Sequence, residues 1–331
     1  MGDGKRIPGA NCVKLLGMSS TTTHHKLLLL SKQPSDYWAI LEKARLPGLE
    51  LVSGEGQFDP ADCDIAFGEP NLLRDALPHL HALKWAQSTW AGVEPLLDPV
   101  LRRDYTLTNA RGVFGGLMSE FALAYLLLHE RKILQRLEAQ KQQRWDASLT
   151  GTLRGKTIGL LGVGSIGAEL ARMAKFFGMT VRGYTKSSET SNHVDRYYHG
   201  GEIFEFAHGL DYMVCVLPNT PATRRIVDAE LLAQLPSHAL FINVGRGSAV
   251  DESALIDALE TGAISGAVLD VFEQEPLPAG HPFWTTRNLY ITFHTAAPSF
   301  AAEIAKVFIK NYQRYITGAP LEHVVDFERG Y

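Results

Sequence analysis

Short apolar runs alternate with segments of helical spacing along almost the whole chain. In the first part the runs Lys26–Leu30, Leu49–Val52, Asp64–Phe67, Ala82–Gln87 and Tyr105–Thr108 predict strands, with helical stretches such as Asp36–Ala44 between several of them. Strands separated in this way by helices build a parallel sheet with helices packed on it. A long helical segment follows, from about Leu117 to Arg144. Its stripe includes Phe121, Leu123, Ala124, Leu127 and Leu128; its start is apolar all round and its end is rich in Gln and Lys. That pattern predicts a helix buried on several sides, able to link two sheets and to carry a subunit contact. A second alternation begins at Thr157. Strands are expected at Thr157–Leu161, Thr180–Tyr184, Tyr212–Val216, Ala239–Asn243, Gly266–Leu269 and Leu289–Thr292. A last helix, about Ser299–Ile316, is punctuated by Pro298 and Gly318. There is no internal repeat and no low-complexity tract.

Length and composition narrow this picture. The 331 residues suffice for two domains, and 45% hydrophobic with 21% charged residues is ordinary for a soluble globular chain. A net charge of −4 with scattered basic residues argues against a nucleic-acid partner. No apolar run reaches the length of a membrane span, and Leu27–Leu30 reads as a strand. Cys12, Cys63 and Cys215 are odd in number and widely spaced, which fits neither a disulfide framework nor a metal site and suits a reducing, cytoplasmic home. Residues 1–25 are expected to be loosely structured, with Met18 as an alternative start.

The strongest local signal is Gly162-Val163-Gly164-Ser165-Ile166-Gly167, set between the strand Thr157–Leu161 and the helix Ala168–Phe177. Such glycines make a tight turn, admit a pyrophosphate close to the backbone, and let helix and strand pack closely. The helix N-terminus offers free amides to the phosphates. A dinucleotide is therefore the expected ligand. The next strand would end in Asp or Glu if NAD were preferred. Here Thr185-Lys186-Ser187 stands instead, and neutral and cationic donors favour the 2′-phosphate of NADP over NAD. Glu189 is the nearest acid, four residues further into the loop.

Three segments place unusual polar residues after later strands: Asn243-Val244-Gly245-Arg246-Gly247, Asp270 to Pro276, and Thr292-Phe293-His294-Thr295. In open α/β sheets ligands bind at the carboxyl ends of strands, so the three should converge.

With Leu153–Gly159, Leu217-Pro218-Asn219-Thr220-Pro221 and these segments in order, residues 26–325 resemble the D-isomer-specific 2-hydroxyacid dehydrogenase family. Leu277-Pro278 and Pro282-Phe283-Trp284 are similar to its glyoxylate and hydroxypyruvate reductase branch. The resemblance implies two Rossmann-like, doubly wound parallel-sheet α/β domains. A flavodoxin-like substrate domain (1–117 and 298–331) would enclose an NAD(P)-binding Rossmann domain (118–297). It implies Arg246 on the substrate carboxylate and keto oxygen, His294 as acid and base, and Glu275 orienting His294. Gly162, Gly164, Ser165, Ile166, Gly167, Thr185, Lys186, Ser187, Leu217, Pro218, Val244, Gly245, Asp270, His294 and Ala296 would line the cofactor, with Asp270 near the nicotinamide carboxamide. Amides of Trp90, Ala91 and Gly92 would hold the substrate carboxylate, although the family usually has glycine where Trp90 stands. Met118 is either a neighbour of the nicotinamide or plain core. The expected reaction is reduction of a small 2-keto acid by a homodimer. A phosphite-type dehydrogenase and a non-catalytic, cofactor-sensing corepressor or scaffold are the alternatives.

Overall fold

The computed structural model describes residues 24–53 and 59–330. Of residues 1–25 only two lie among these, and His25 already belongs to the first strand; Cys12 and the proposed start at Met18 fall outside. The first sheet contains β1 (His25–Leu30), β2 (Leu49–Ser53), β3 (Ile65–Gly68), β4 (Trp85–Ser88) and β5 (Thr106–Thr108). Its order is β2-β1-β3-β4-β5, and every neighbouring pair is parallel. That is the flavodoxin-like doubly wound order. The helices of this part are α1 (Pro34–Ala44) and α2 (Pro70–Ala76).

The chain then crosses to the second sheet through α3 (Gly115–Glu130) and α4 (Ile133–Lys141). The single long helix expected here is broken. Lys132 sits in the left-handed region at φ 50°, and α4 buries only Ala139. No glycine or proline marks the break, so the hydrophobic pattern reads straight through it.

The second sheet contains β6 (Thr157–Leu161), β7 (Thr180–Tyr184), β8 (Arg196–Tyr198), β9 (Tyr212–Cys215), β10 (Leu240–Asn243), β11 (Gly266–Leu269) and β12 (Leu289–Ile291). Its order is β12-β11-β10-β9-β6-β7-β8, again all parallel. The six strands from β11 to β8 follow the dinucleotide-binding order, with β12 added beyond β11. The helices here are α5 (Ser165–Phe176), α6 (Ile203–Ala207), α7 (Ala229–Leu232) and α8 (Glu252–Glu260). The sequence pattern misses β8, a three-residue edge strand with an exposed arginine. Cys215 ends β9 fully buried, and burial pushes its thiol up to about 12.

The last helix, α9 (Ala301–Ile316), packs on α1 and closes the first sheet, not the second. Its Phe308 stacks on Phe67 of β3 (4.7 Å) and Trp85 of β4 (5.1 Å). Ile304, Ala305 and Tyr312 join the same buried cluster. Each sheet thus has its own apolar layers. No helix among the described residues is long and apolar enough to cross a membrane.

Candidate active site

The loop after β6 shows why three glycines are needed. Gly162 has φ +100°, a conformation that side chains resist. A Cβ on Gly167 would lie 2.2 Å from the Gly162 carbonyl oxygen, so α5 packs against the turn only without one. A Cβ on Gly164 would meet nothing within 4 Å, and this open side is where a ligand can approach the backbone. Helical bonding in α5 starts with the Ala168 amide donating to Gly164 O (2.9 Å). The amides of Ser165, Ile166 and Gly167 are left at the helix end, a site suited to phosphate.

Two more glycines draw the neighbouring loops together. A Cβ on Gly245 would lie 2.7 Å from Leu217 O, and one on Gly247 would lie 1.8 Å from the Phe272 carbonyl carbon. The loops after β9, β10 and β11 therefore touch backbone to backbone around Arg246. Asn243, fully buried at the end of β10, fixes the turn: its Oδ1 accepts from the Gly245 amide (3.0 Å) and its Nδ2 donates to Arg246 O (2.9 Å). Val244 is buried behind it and donates from its amide to Cys215 O (3.1 Å). Pro218 O accepts from the Thr223 hydroxyl (2.6 Å).

Arg246 reaches across to the other sheet. Its Nε donates to Glu94 Oε1 at 2.6 Å, NH2 reaches Glu94 Oε2 at 3.4 Å, and NH1 donates to Gly245 O at 2.8 Å. Nothing in the sequence pattern singles out Glu94 beyond its being an acid two residues after Gly92 of the Trp90 loop. Burial alone would raise Glu94, but the adjacent guanidinium outweighs it and holds the carboxyl below the usual range. Gly92 makes room for this pair, since a Cβ there would lie 1.8 Å from Arg246 NH2.

His294 follows β12 with φ +57° and donates from its amide to Asp270 O (2.8 Å). Its Nδ1 donates to Glu275 Oε2 (2.8 Å), and Glu275 Oε1 accepts from the Phe272 amide (3.0 Å). The Glu275 bond raises the imidazole's pKa above its ordinary value against the opposing effect of burial. Burial would raise Glu275 in turn, but the bond to His294 prevails and the carboxyl is lowered. Nε2 of His294 makes no hydrogen bond among the described residues. Arg246 bears electrostatically on both partners, and His294 on Glu94, so the four charges form one cluster.

Other expected site residues behave differently in detail. Asp270 is buried, and its carboxylate turns to the His294 loop: Oδ1 accepts from the Thr292 hydroxyl and the Thr295 amide (2.9 Å), Oδ2 from the Ala296 amide (3.0 Å). The Trp90 amide donates to Ser88 Oγ (2.9 Å), which leaves Ala91 and Gly92 as the unspent amides of that loop. The Trp90 indole is 38% exposed. Thr185 is buried and its hydroxyl donates to Ser188 O (2.8 Å), so it shapes its loop; Lys186 and Ser187 are exposed. Met118 packs between the apolar clusters of both sheets. Among the described residues no group of side chains is arranged to hold a metal ion.

Residues 123–296, more than half of the chain, match the profile of the D-isomer specific 2-hydroxyacid dehydrogenase NAD binding domain. The chain belongs to the D-isomer-specific 2-hydroxyacid dehydrogenase family. It is accordingly an NAD(P)-dependent oxidoreductase with that family's NAD-binding domain. Glyoxylate/hydroxypyruvate reductase A of Serratia proteamaculans is 31% identical over 307 residues, 90% of this chain and 96% of the relative. A family member from Aeromonas salmonicida superposes with a TM-score of 0.86 at 40% identity, covering 92% of this chain and 100% of that one. An NADPH-dependent glyoxylate/hydroxypyruvate reductase from Sinorhizobium meliloti, solved with NADP and sulfate, gives 0.82 at 30% identity, covering 93% and 100%.

Proposed function

We propose that this dehydrogenase reduces a small 2-keto acid of the glyoxylate or hydroxypyruvate type, with NADPH preferred over NADH. The observation that carries the reading is the pairing of an imidazole anchored by Glu275 with the Arg246 guanidinium, beside a glycine loop that ends at a helix N-terminus. Bound NADPH would supply the hydride. The amides of Ser165, Ile166 and Gly167 would take its pyrophosphate, and Lys186 with Ser187 its 2′-phosphate.

The chain's own residues do the rest. Arg246 has five N–H groups; three are spent on Glu94 and Gly245 O, which leaves two for the substrate's carboxylate and keto oxygen. With the Ala91 and Gly92 amides these turn C2 toward the nicotinamide. His294 donates its Nε2 proton to the carbonyl oxygen as charge builds there, while Glu275 stabilises the imidazolium that gives it. In the reverse direction the same nitrogen takes the hydroxyl proton. Asp270 holds the His294 loop through three hydrogen bonds and acts as a positioning residue.

The substrate lobe is assigned to 1–117 and 298–331 and the cofactor lobe to 118–297. Closure of the two on Arg246–Glu94, which already joins them, would exclude water. A homodimer through α4, where Ile133, Leu134 and Leu137 are exposed, completes the reading.

The test is steady-state oxidation of NADPH and NADH with glyoxylate, hydroxypyruvate and bulkier 2-keto acids. Rapid NADPH turnover with a small acid, lost in His294→Asn without loss of NADPH binding, is the expected result. Unchanged turnover in that variant overturns the mechanism, and an NADH preference overturns the cofactor assignment.

A further inference from the structure

Beside the loop expected to meet the adenosine ribose lies an ion pair that the mechanism does not use. His199 follows β8. Its Nδ1 is 3.0 Å from Thr185 O and 3.2 Å from Thr185 Oγ1, and its Nε2 is 2.8 Å from Glu189 Oε1. The Thr185 hydroxyl already donates to Ser188 O, so the ring faces an acceptor at each nitrogen. An imidazole satisfies two acceptors only when both nitrogens carry hydrogen, that is, as the cation. The surroundings agree. Glu202 accepts from the His199 amide at 2.7 Å, and Tyr197 stacks on the ring at an interplanar angle of 5°. The bond to Glu189, then that to the Thr185 carbonyl, raises the pKa of His199 above the ordinary imidazole value.

An acid at the end of this strand normally holds the ribose 2′-hydroxyl of NAD and repels a 2′-phosphate. Here the nearest acid is tied to a titratable partner. We propose that Glu189 and His199 form a pH-dependent selector between NADPH and NADH. Protonated His199 clamps and neutralises Glu189, leaving Lys186 and Ser187 to the 2′-phosphate. Neutral His199 releases Glu189, whose carboxylate then opposes the 2′-phosphate and accepts from the 2′-hydroxyl of NADH. The proposal rests on the reading above that this loop borders the adenosine ribose.

Dissociation constants of NADPH and NADH, followed by nicotinamide fluorescence on the full-length protein, test it at about pH 6 and about pH 8.5, either side of the ordinary imidazole value of about 6.5. The 2′-phosphate itself titrates near pH 6, so the quantity read is the difference between the native protein and Glu189→Gln. The NADPH-to-NADH affinity ratio of the native protein should fall with rising pH relative to Glu189→Gln by up to about fivefold, the reach of an exposed ion pair. His199→Ala should show the lower ratio already at the acid end, with an unchanged melting temperature. Parallel profiles in the native protein and Glu189→Gln, alongside a Lys186→Ala variant that loses NADPH preference, overturn the selector and leave the loop assignment standing. A Lys186→Ala variant with no change in NADPH affinity overturns both.

Discussion

Glu94→Gln keeps the shape of the side chain and removes the charge that holds Arg246. The native carboxylate sits 2.6 Å from Nε and 3.4 Å from NH2 of the guanidinium. A hydrogen bond to a charged group contributes about 1.5–3 kcal/mol when well shielded. These side chains are 37% and 29% exposed, so solvent screening brings the figure down to about 1 kcal/mol. Glutamine's amide nitrogen also opposes the guanidinium donors, so the fork loses part of its fixed direction. One kcal/mol is about a fivefold change in an equilibrium or rate ratio. We expect kcat/KM for a small 2-keto acid to fall about fivefold, mostly through KM. NADPH affinity, read by fluorescence titration, should not move, because Glu94 belongs to the turn after β4 of the first sheet, whereas the glycine loop follows β6 of the second. Steady-state NADPH oxidation on purified variant and native protein, with thermal melts as a folding control, decides the matter. An unchanged kcat/KM in a folded variant refutes the idea that Glu94 positions Arg246. An increase would show instead that Glu94 competes with the substrate carboxylate.

The raised pKa of His294 keeps its acid form available above the ordinary imidazole range, so keto-acid reduction should decline as pH rises through that raised value. In Glu275→Gln the decline should move to lower pH, which a pH profile of kcat/KM records. By linkage, the imidazole's share of stability is full below its unfolded value of about 6.5 and fades as pH rises through the folded one; urea melts across that range should show the loss. Asp270→Asn replaces two acceptor oxygens by one and strands a donor of the 292–296 loop; a stability loss of about 1–3 kcal/mol in urea melts and a drop in kcat are expected. Gly247→Ala drives a methyl into the Phe272 backbone and should lower the melting temperature, whereas Gly164→Ala meets open space and should instead weaken NADPH binding with little change in melting.

Most of the fold is legible because both sheets are parallel and buried on two faces, so their strands appear as short apolar runs between helices. Four strands of the second sheet end where the pattern places them, at Leu161, Tyr184, Asn243 and Leu269. The pattern fails where burial is slight or the backbone decides. The edge strand β8 buries only Tyr198 of its three residues, and the break before α4 rests on the φ of a lysine. The candidate site divides the same way. Arg246, Glu275 and His294 stand in recognisable segments at strand ends. Glu94 and His199 act through partners 152 and 10 residues away, and nothing local in the sequence announces either pairing. Thr185 reads as a donor for phosphate, yet its hydroxyl is turned inward to Ser188.

The placement of α9 has a consequence for how the protein is made. Phe308 and Tyr312, near the end of the chain, complete the apolar layer over β1, β3 and β4, near its beginning. During synthesis the first sheet emerges from the ribosome long before that layer can close. The second sheet has all its strands once β12 is out, and domains fold as units as they appear. The part of the chain translated first should therefore finish folding last, with Trp85 and Phe67 uncovered in the interval. A nascent chain arrested before Ala301 should expose that aromatic surface to chaperones while its glycine loop already binds dinucleotide.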